Sequence, residues 1–199
     1  MKKLSKVHLL VHPGFFEIDA QFSNIFDDGR QQSRDIDFLR GLFEKYLEKF
    51  SHLPDNELLV AFTYDYRKAL KNKIETAGSS WPSYIDLLHE LKRNLGDRIV
   101  VFSESAVTHT GDRKIVLRDL QEKMRRILEG RGYEVSENVV LEACGELINN
   151  CVETYGEAFR HDADIQEPLV VDTAATDAAR YREGDLQAIA RKNQHIRYK

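Results

Sequence analysis

The chain has 199 residues, 42% of them hydrophobic, and its 29 Lys and Arg against 33 Asp and Glu give a formal net charge of −4. This length and composition predict a single domain, residues 1–199, with a core large enough to fold without disulfides. The mixed charge argues against a general nucleic-acid binder, which needs a concentrated basic face. No apolar run approaches the roughly 18 residues of a membrane span, and the basic N-terminus lacks the apolar region of a signal peptide.

The first half of the chain alternates short apolar runs with amphipathic stretches. Residues 7–11 predict a buried strand that stops at Pro13 and Gly14, and residues 15–32 predict an extended loop without a clear period. Apolar residues at three- and four-residue steps over 36–50 predict a helix that ends near Pro54. Residues 57–63 predict a second strand, 77–82 a loop, and 84–91 a short helix that ends near Gly96.

The second half continues this alternation. Residues 98–102 predict a strand, 103–111 a polar loop, and 117–128 an amphipathic helix closed by Gly130 and Gly132. A strand over 138–143, a helix carrying Cys151 and a strand over 169–172 follow. Continuous apolar strands alternating with helices predict a three-layer α/β/α fold of Rossmann-like type, with a mostly parallel sheet. Right-handed crossovers then bring the carboxyl ends of the strands to one edge, where ligands bind in such folds.

The C-terminal stretch and the two cysteines give less information about the fold. The C-terminal stretch is locally basic, and we interpret it as a solvated helix face followed by a frayed tail. The two cysteines, Cys144 and Cys151, flank a predicted strand-to-helix turn. This arrangement does not look like a disulfide framework, and it favours a reducing, cytoplasmic location.

Several stretches resemble the isochorismatase-like cysteine hydrolases, which include isochorismatases, nicotinamidases and carbamoylsarcosine amidases. Residues 144–152, Cys-Gly-Glu-Leu-Ile-Asn-Asn-Cys-Val, are similar to the family's Ala-Gly-x-x-Thr-x-x-Cys-Val. Residues 128–133 resemble the glycine-containing approach to that strand, residues 61–65 resemble Ile-Phe-Thr-Arg-Asp, and residues 169–174 resemble the family's last strand end. The resemblance spans most of the chain and implies the isochorismatase-like fold and self-association into a homo-oligomer.

The resemblance implies a triad of cysteine, aspartate and lysine, of which only Cys151 is present. Pro13 stands where the family has its aspartate base, with His12 beside it, and Ser103 stands where it has lysine. Ile148 replaces the threonine of the family's turn. The metal-binding members use an Asp-x-His pair, whereas this chain has Asp65-Tyr66-Arg67, so the resemblance implies neither a metal nor a cofactor.

Cys151 is the candidate nucleophile, because a helix start lowers a thiol pKa; the alternative is a small buried apolar residue. The candidate bases are His12, Glu104, His109 and Glu146, with Asp65 and Ser103 as further pocket residues. Each has a structural alternative: a packed histidine at His12, a solvated or capping loop residue at His109, a helix-dipole contact at Glu146 and a helix cap at Asp65.

The sequence therefore leaves two functional hypotheses open. In the first, the chain is a divergent member that lacks the triad and binds a small ligand or acts in assembly without hydrolysis. In the second, it hydrolyses an amide or related bond through Cys151 with a relocated base such as His12.

Overall fold

The structure is a computed structural model that describes residues 1–15, 17, 29–65, 83–105, 126–146, 148–176, 188, 191 and 195–199. The strands are β1 (Lys2–Lys3), β2 (Lys6–Val11), β3 (Glu57–Asp65), β4 (Ile99–Ser105), β5 (Tyr133–Glu134), β6 (Val140–Gly145), β7 (Leu169–Thr176) and β8 (Ile196–Tyr198). The helices are α1 (Gly29–Phe50), α2 (Tyr84–Leu95) and α3 (Glu153–Asp162), with a 3₁₀ turn at Gly96–Arg98 and a π-helical turn at Ile148–Val152. Residues 126–130 are also helical.

Six strands form one sheet in the order β4-β3-β2-β6-β7-β8, and every neighbouring pair is parallel. Counted along the chain, this is the 3-2-1-4-5-6 order of doubly wound sheets. The order reverses between β2 and β6, whose last residues, Val11 and Gly145, are partners in register. Ligands bind beyond the carboxyl ends of the strands at such a reversal, so a binding site is expected at this edge.

Helices cover both faces of the sheet. On one face, α3 and the helix ending at Gly130 pack through Leu128, Tyr155 and Phe159 on Val7, Leu9 and Val11 and their neighbours. On the other, α1 and α2 pack through Tyr46, Phe50, Leu87 and Leu91 on Leu10, Leu59 and Ala61. The alternation of β2 side chains between these two clusters is the period of two expected of a strand buried on both sides. The expected α/β fold with a mostly parallel sheet is confirmed.

Several predicted boundaries are wrong. The frayed C-terminal tail is instead strand β8, which pairs with β7 and buries Ile196. Ser103 and Glu104, expected in a loop, lie in β4, because that strand continues alongside β3 to Ser105. Helix α1 begins at Gly29, inside the expected loop, and β7 continues to Thr176.

Parts of the prediction lie outside the described residues: most of the loop at 15–32, the loop at 77–82, residues 106–111, most of the helix at 117–128, and most of the basic C-terminal stretch before β8. Among the described residues, no helix is long and apolar enough to cross a membrane.

Candidate functional site at the carboxyl edge

The carboxyl ends of β2 and β6 approach each other unusually closely. Gly145 has φ +124°, and a side chain built there would overlap the carbonyl oxygen of Val11. That carbonyl instead accepts a hydrogen bond from the N–H of Glu146 at 2.9 Å. Glycine is therefore required at the end of β6, because only glycine combines this backbone conformation with direct contact between the strands.

Glu146, the residue after β6, contacts the turn that follows β2. Its side chain is fully buried, and Oε1 accepts a hydrogen bond from the N–H of Gly14 at 2.5 Å. Gly14 follows Pro13, the position where the family resemblance expects an aspartate. A carboxylate therefore does lie beside this turn, although it belongs to the residue that follows β6 rather than to one that follows β2.

His12 is turned toward the α3 side of the sheet. Its φ is +47°, which is uncommon for a residue with a side chain, and its N–H donates to the carbonyl of Phe62 at 2.8 Å. The ring is 1% exposed and packs edge-on against Tyr155, with 4.8 Å between ring centroids. Tyr155 also contacts Phe62. Strand alternation alone would group His12 with His8 and Leu10 on the α1 side, so the left-handed backbone decides which face it meets.

Cys151 lies on the same side as His12. It is in the π-helical turn Ile148–Val152, which continues directly into α3 and places Tyr155 four residues later. Cys151 is 7% exposed and belongs to the core cluster on this face, together with Ile148, which is fully buried. Both Cys151 and Cys144 are free cysteines. The nucleophile candidate therefore sits at the rim of the apolar core.

Strands β3 and β4 bring the backbone of three further predicted site residues, Asp65, Ser103 and Glu104, to the same edge. Thr63 and Ser103 are partners in register, as are Tyr64 with Glu104 and Asp65 with Ser105. Because β4 is two strands away from β2, Ser103 lies off the reversal point, and its side chain is exposed. The backbone places Asp65 and Glu104 at the carboxyl ends of their strands. His109 lies outside the described residues.

Glu17 is a residue of this edge that the sequence did not reveal. Its carboxylate accepts hydrogen bonds from the N–H and hydroxyl of Ser83, at 2.7 and 2.5 Å, and from the N–H of Tyr84 at 3.1 Å. It thereby caps the first turn of α2 from a position 66 residues earlier in the chain. A cap at this separation leaves no local sequence signal.

A second polar cluster, which the sequence also did not reveal, lies between the sheet and α1. The carboxylate of Glu142, on β6, is 3% exposed and receives Lys49 and Lys199 at 2.5 Å and Lys6 at 3.0 Å. His8 Nδ1 lies 3.5 Å from it, and His8 Nε2 is 2.7 Å from Glu57. Lys49 also contacts Asp172. The sequence shows these charges only as isolated residues in six separate segments.

The charges in this cluster shift the pKa values of its members. Burial alone would raise the pKa of Glu142, but His8, Lys199, Lys49 and Lys6 outweigh it and hold that pKa well below its usual range. Burial likewise opposes the charge on Lys49, yet its contacts with Asp172 and Glu142 leave its pKa raised. For the fully buried Cys144 thiol, burial dominates and raises the pKa far above its ordinary value. Cys144 is therefore an unreactive thiol near neutral pH.

Within the described part of the chain, no group of three or more His, Cys, Asp and Glu residues is placed to hold a metal ion. No known protein-family model matches this chain, and a search of curated proteins finds no match.

Proposed function

We propose that this chain has an isochorismatase-like fold and binds a small ligand at the carboxyl edge of β2 and β6 without hydrolysing it. The observation that carries this proposal is the Glu146 carboxylate, which is buried and fixed on the N–H of Gly14 at that edge. Strand order 3-2-1-4-5-6, with the reversal at this same point, supports the choice of edge.

The fixed carboxylate argues against a hydrolytic thiolate. Glu146 lies five residues before Cys151, ahead of the π-helical turn that carries the thiol, and a carboxylate close to a thiol disfavours the thiolate. The triad lysine that would offset this effect is replaced by Ser103, and Pro13 cannot act as a base. Cys151 then serves as an apolar wall residue, in agreement with its place in the core cluster.

A second candidate is cysteine-dependent hydrolysis with His12 as the relocated base. The observation in its favour is that the left-handed backbone of His12 turns its ring onto Tyr155, one helical turn after Cys151. An imidazole on the same face as the thiol is the arrangement that a cysteine-histidine pair requires.

Alkylation of Cys151 by iodoacetamide as a function of pH separates the two candidates. Cys151→Ser serves as the blank, and Cys144→Ala confirms that the buried second thiol does not contribute. For the binding protein we expect an apparent pKa at or above the ordinary value of about 8.5, and no ammonia from nicotinamide or N-carbamoylsarcosine. An apparent pKa well below that value, with ammonia release lost in Cys151→Ser, would establish the hydrolase instead.

Thermal stabilisation by nicotinamide and nicotinate tests the binding itself. Because the buried carboxylate repels anions, nicotinamide should stabilise the wild-type protein more than nicotinate does, and Glu146→Gln should narrow this preference. A stronger effect of nicotinate on the wild type, or no effect of either compound, would contradict the proposed site.

A further inference from the structure

A cavity of about 270 Å³ lies at the amino edge of the sheet, opposite the edge that carries His12 and Glu146. It is formed at the end of α3, next to strand β5 (Tyr133–Glu134), which pairs with β1. Helix α3 starts beyond the carboxyl end of β6 and ends before the amino end of β7, so its last residues reach the amino edge. This cavity is therefore separate from the site proposed above.

The inner wall of the cavity is apolar and aromatic. Leu128, Tyr133 and Phe159 line it, and all three are buried members of the core cluster on this face. The hydroxyl of Tyr133 donates to the carbonyl of Asp97 at 2.9 Å, so the polar end of this side chain already has its partner. The wall thus presents side chains held in place by the core.

The outer wall carries negative charge. Glu129, Glu134, Asp162 and Asp164 line the cavity, and so does Met1, whose amino-terminal ammonium carries the one positive charge among the described lining residues. The four carboxylates outnumber it. Within the described residues, the carboxylates of Glu129, Glu134 and Asp164 form no hydrogen bond or ion pair, whereas those of Glu142 and Glu157 are paired with lysine and arginine. Like charges around a concave apolar surface create a negative potential that attracts cations.

We propose that this cavity binds a small organic ammonium ion with an apolar or aromatic body. The body would pack on Leu128 and Phe159, and the ammonium group would face the carboxylates of Glu134 and Asp164. The rings of Tyr133 and Phe159 add a second attraction for a cation, through their negative faces. The volume lies just below the roughly 300–1,000 Å³ of typical small-molecule sites, which limits the occupant to roughly ten to fifteen non-hydrogen atoms.

Calorimetric titration of the full chain with three indole compounds tests the proposal. Tryptamine carries the ammonium group, tryptophol is its uncharged analogue of similar size, and indole-3-acetate is the anionic one. We expect tryptamine to bind about tenfold more tightly than tryptophol, the difference that one charge-assisted contact provides. Indole-3-acetate should bind more weakly than either. Equal affinities for tryptamine and tryptophol, or no binding of tryptamine up to about 10 mM, would overturn the proposal.

A charge-matched pair of variants locates the binding. Glu134→Gln combined with Asp164→Asn removes two carboxylates from the cavity, and Glu44→Gln combined with Glu167→Gln removes two exposed carboxylates elsewhere. The first variant should weaken tryptamine binding about fivefold or more, and the second should leave it unchanged. Unfolding curves establish that both variants are folded. Equal weakening in both would show a general charge effect and refute the cavity site.

Discussion

Replacement of Glu142 by glutamine probes the buried charge cluster beneath α1. The substitution keeps the size of the side chain but removes the negative charge that Lys6, Lys49 and Lys199 share. Removing one partner of a buried ion pair costs about 3–5 kcal/mol, because the remaining charge stays desolvated. Here the side chains of Lys6, Lys49 and Lys199 are 25%, 20% and 50% exposed, so water offsets part of that loss. We therefore expect a destabilisation of about 2–3 kcal/mol.

Urea unfolding followed by far-UV circular dichroism measures this loss. With a slope of about 2 kcal/mol/M, the midpoint should fall by about 1–1.5 M. Glu90→Gln is the matched control, since Glu90 is 45% exposed and lies 3.5 Å from Arg93 on the surface of α2. The control should stay within about 0.5 kcal/mol of the wild type. A loss of less than about 0.5 kcal/mol in Glu142→Gln would refute the view that this cluster stabilises the fold.

Acid titration of the same pair of proteins supplies an independent check. The pKa of Glu142 is held below its unfolded value of about 4.3, so its contribution is complete above that pH and is lost as pH falls toward the folded-state pKa. The stability difference between wild type and Glu142→Gln should thus shrink as the pH falls below about 4. A difference that grows as the pH falls below about 4 would contradict the assigned sign.

Two further predictions concern the carboxyl edge. Gly145→Ala should destabilise the protein by more than about 2 kcal/mol in urea unfolding. The reason is that the added methyl group meets the Val11 carbonyl at a backbone φ of +124°. An effect below about 0.5 kcal/mol would show that β2 and β6 can separate. Glu17→Ala should cost about 1–2 kcal/mol through loss of the α2 cap, and Glu17→Gln less, since an amide oxygen still accepts. Hydrogen exchange at the first turn of α2 should accelerate in Glu17→Ala, and unchanged exchange there would rule out the cap.

The sequence by itself determined the class of fold and the order of its elements. Strands such as residues 7–11 are apolar at consecutive positions, a pattern that arises only when both faces are covered, and helix α1 shows its buried stripe at three- and four-residue steps. Such periodic signals are local, so they can be recognised without tertiary information. Strand β8 escaped recognition because three residues with one buried apolar side chain carry too weak a period.

Only the tertiary structure decided which side chains meet. The contact of Glu146 with Gly14 spans 132 residues, and the Glu142 cluster joins residues from Lys6 to Lys199. Neither contact has a sequence signature, because each partner looks like an ordinary charged or turn residue in its own segment. The direction of His12 likewise depends on one left-handed backbone angle, which is set by how the chain leaves β2. The sequence could name the residues at the edge of the sheet, whereas long-range packing alone determined their neighbours and therefore the chemistry open to them.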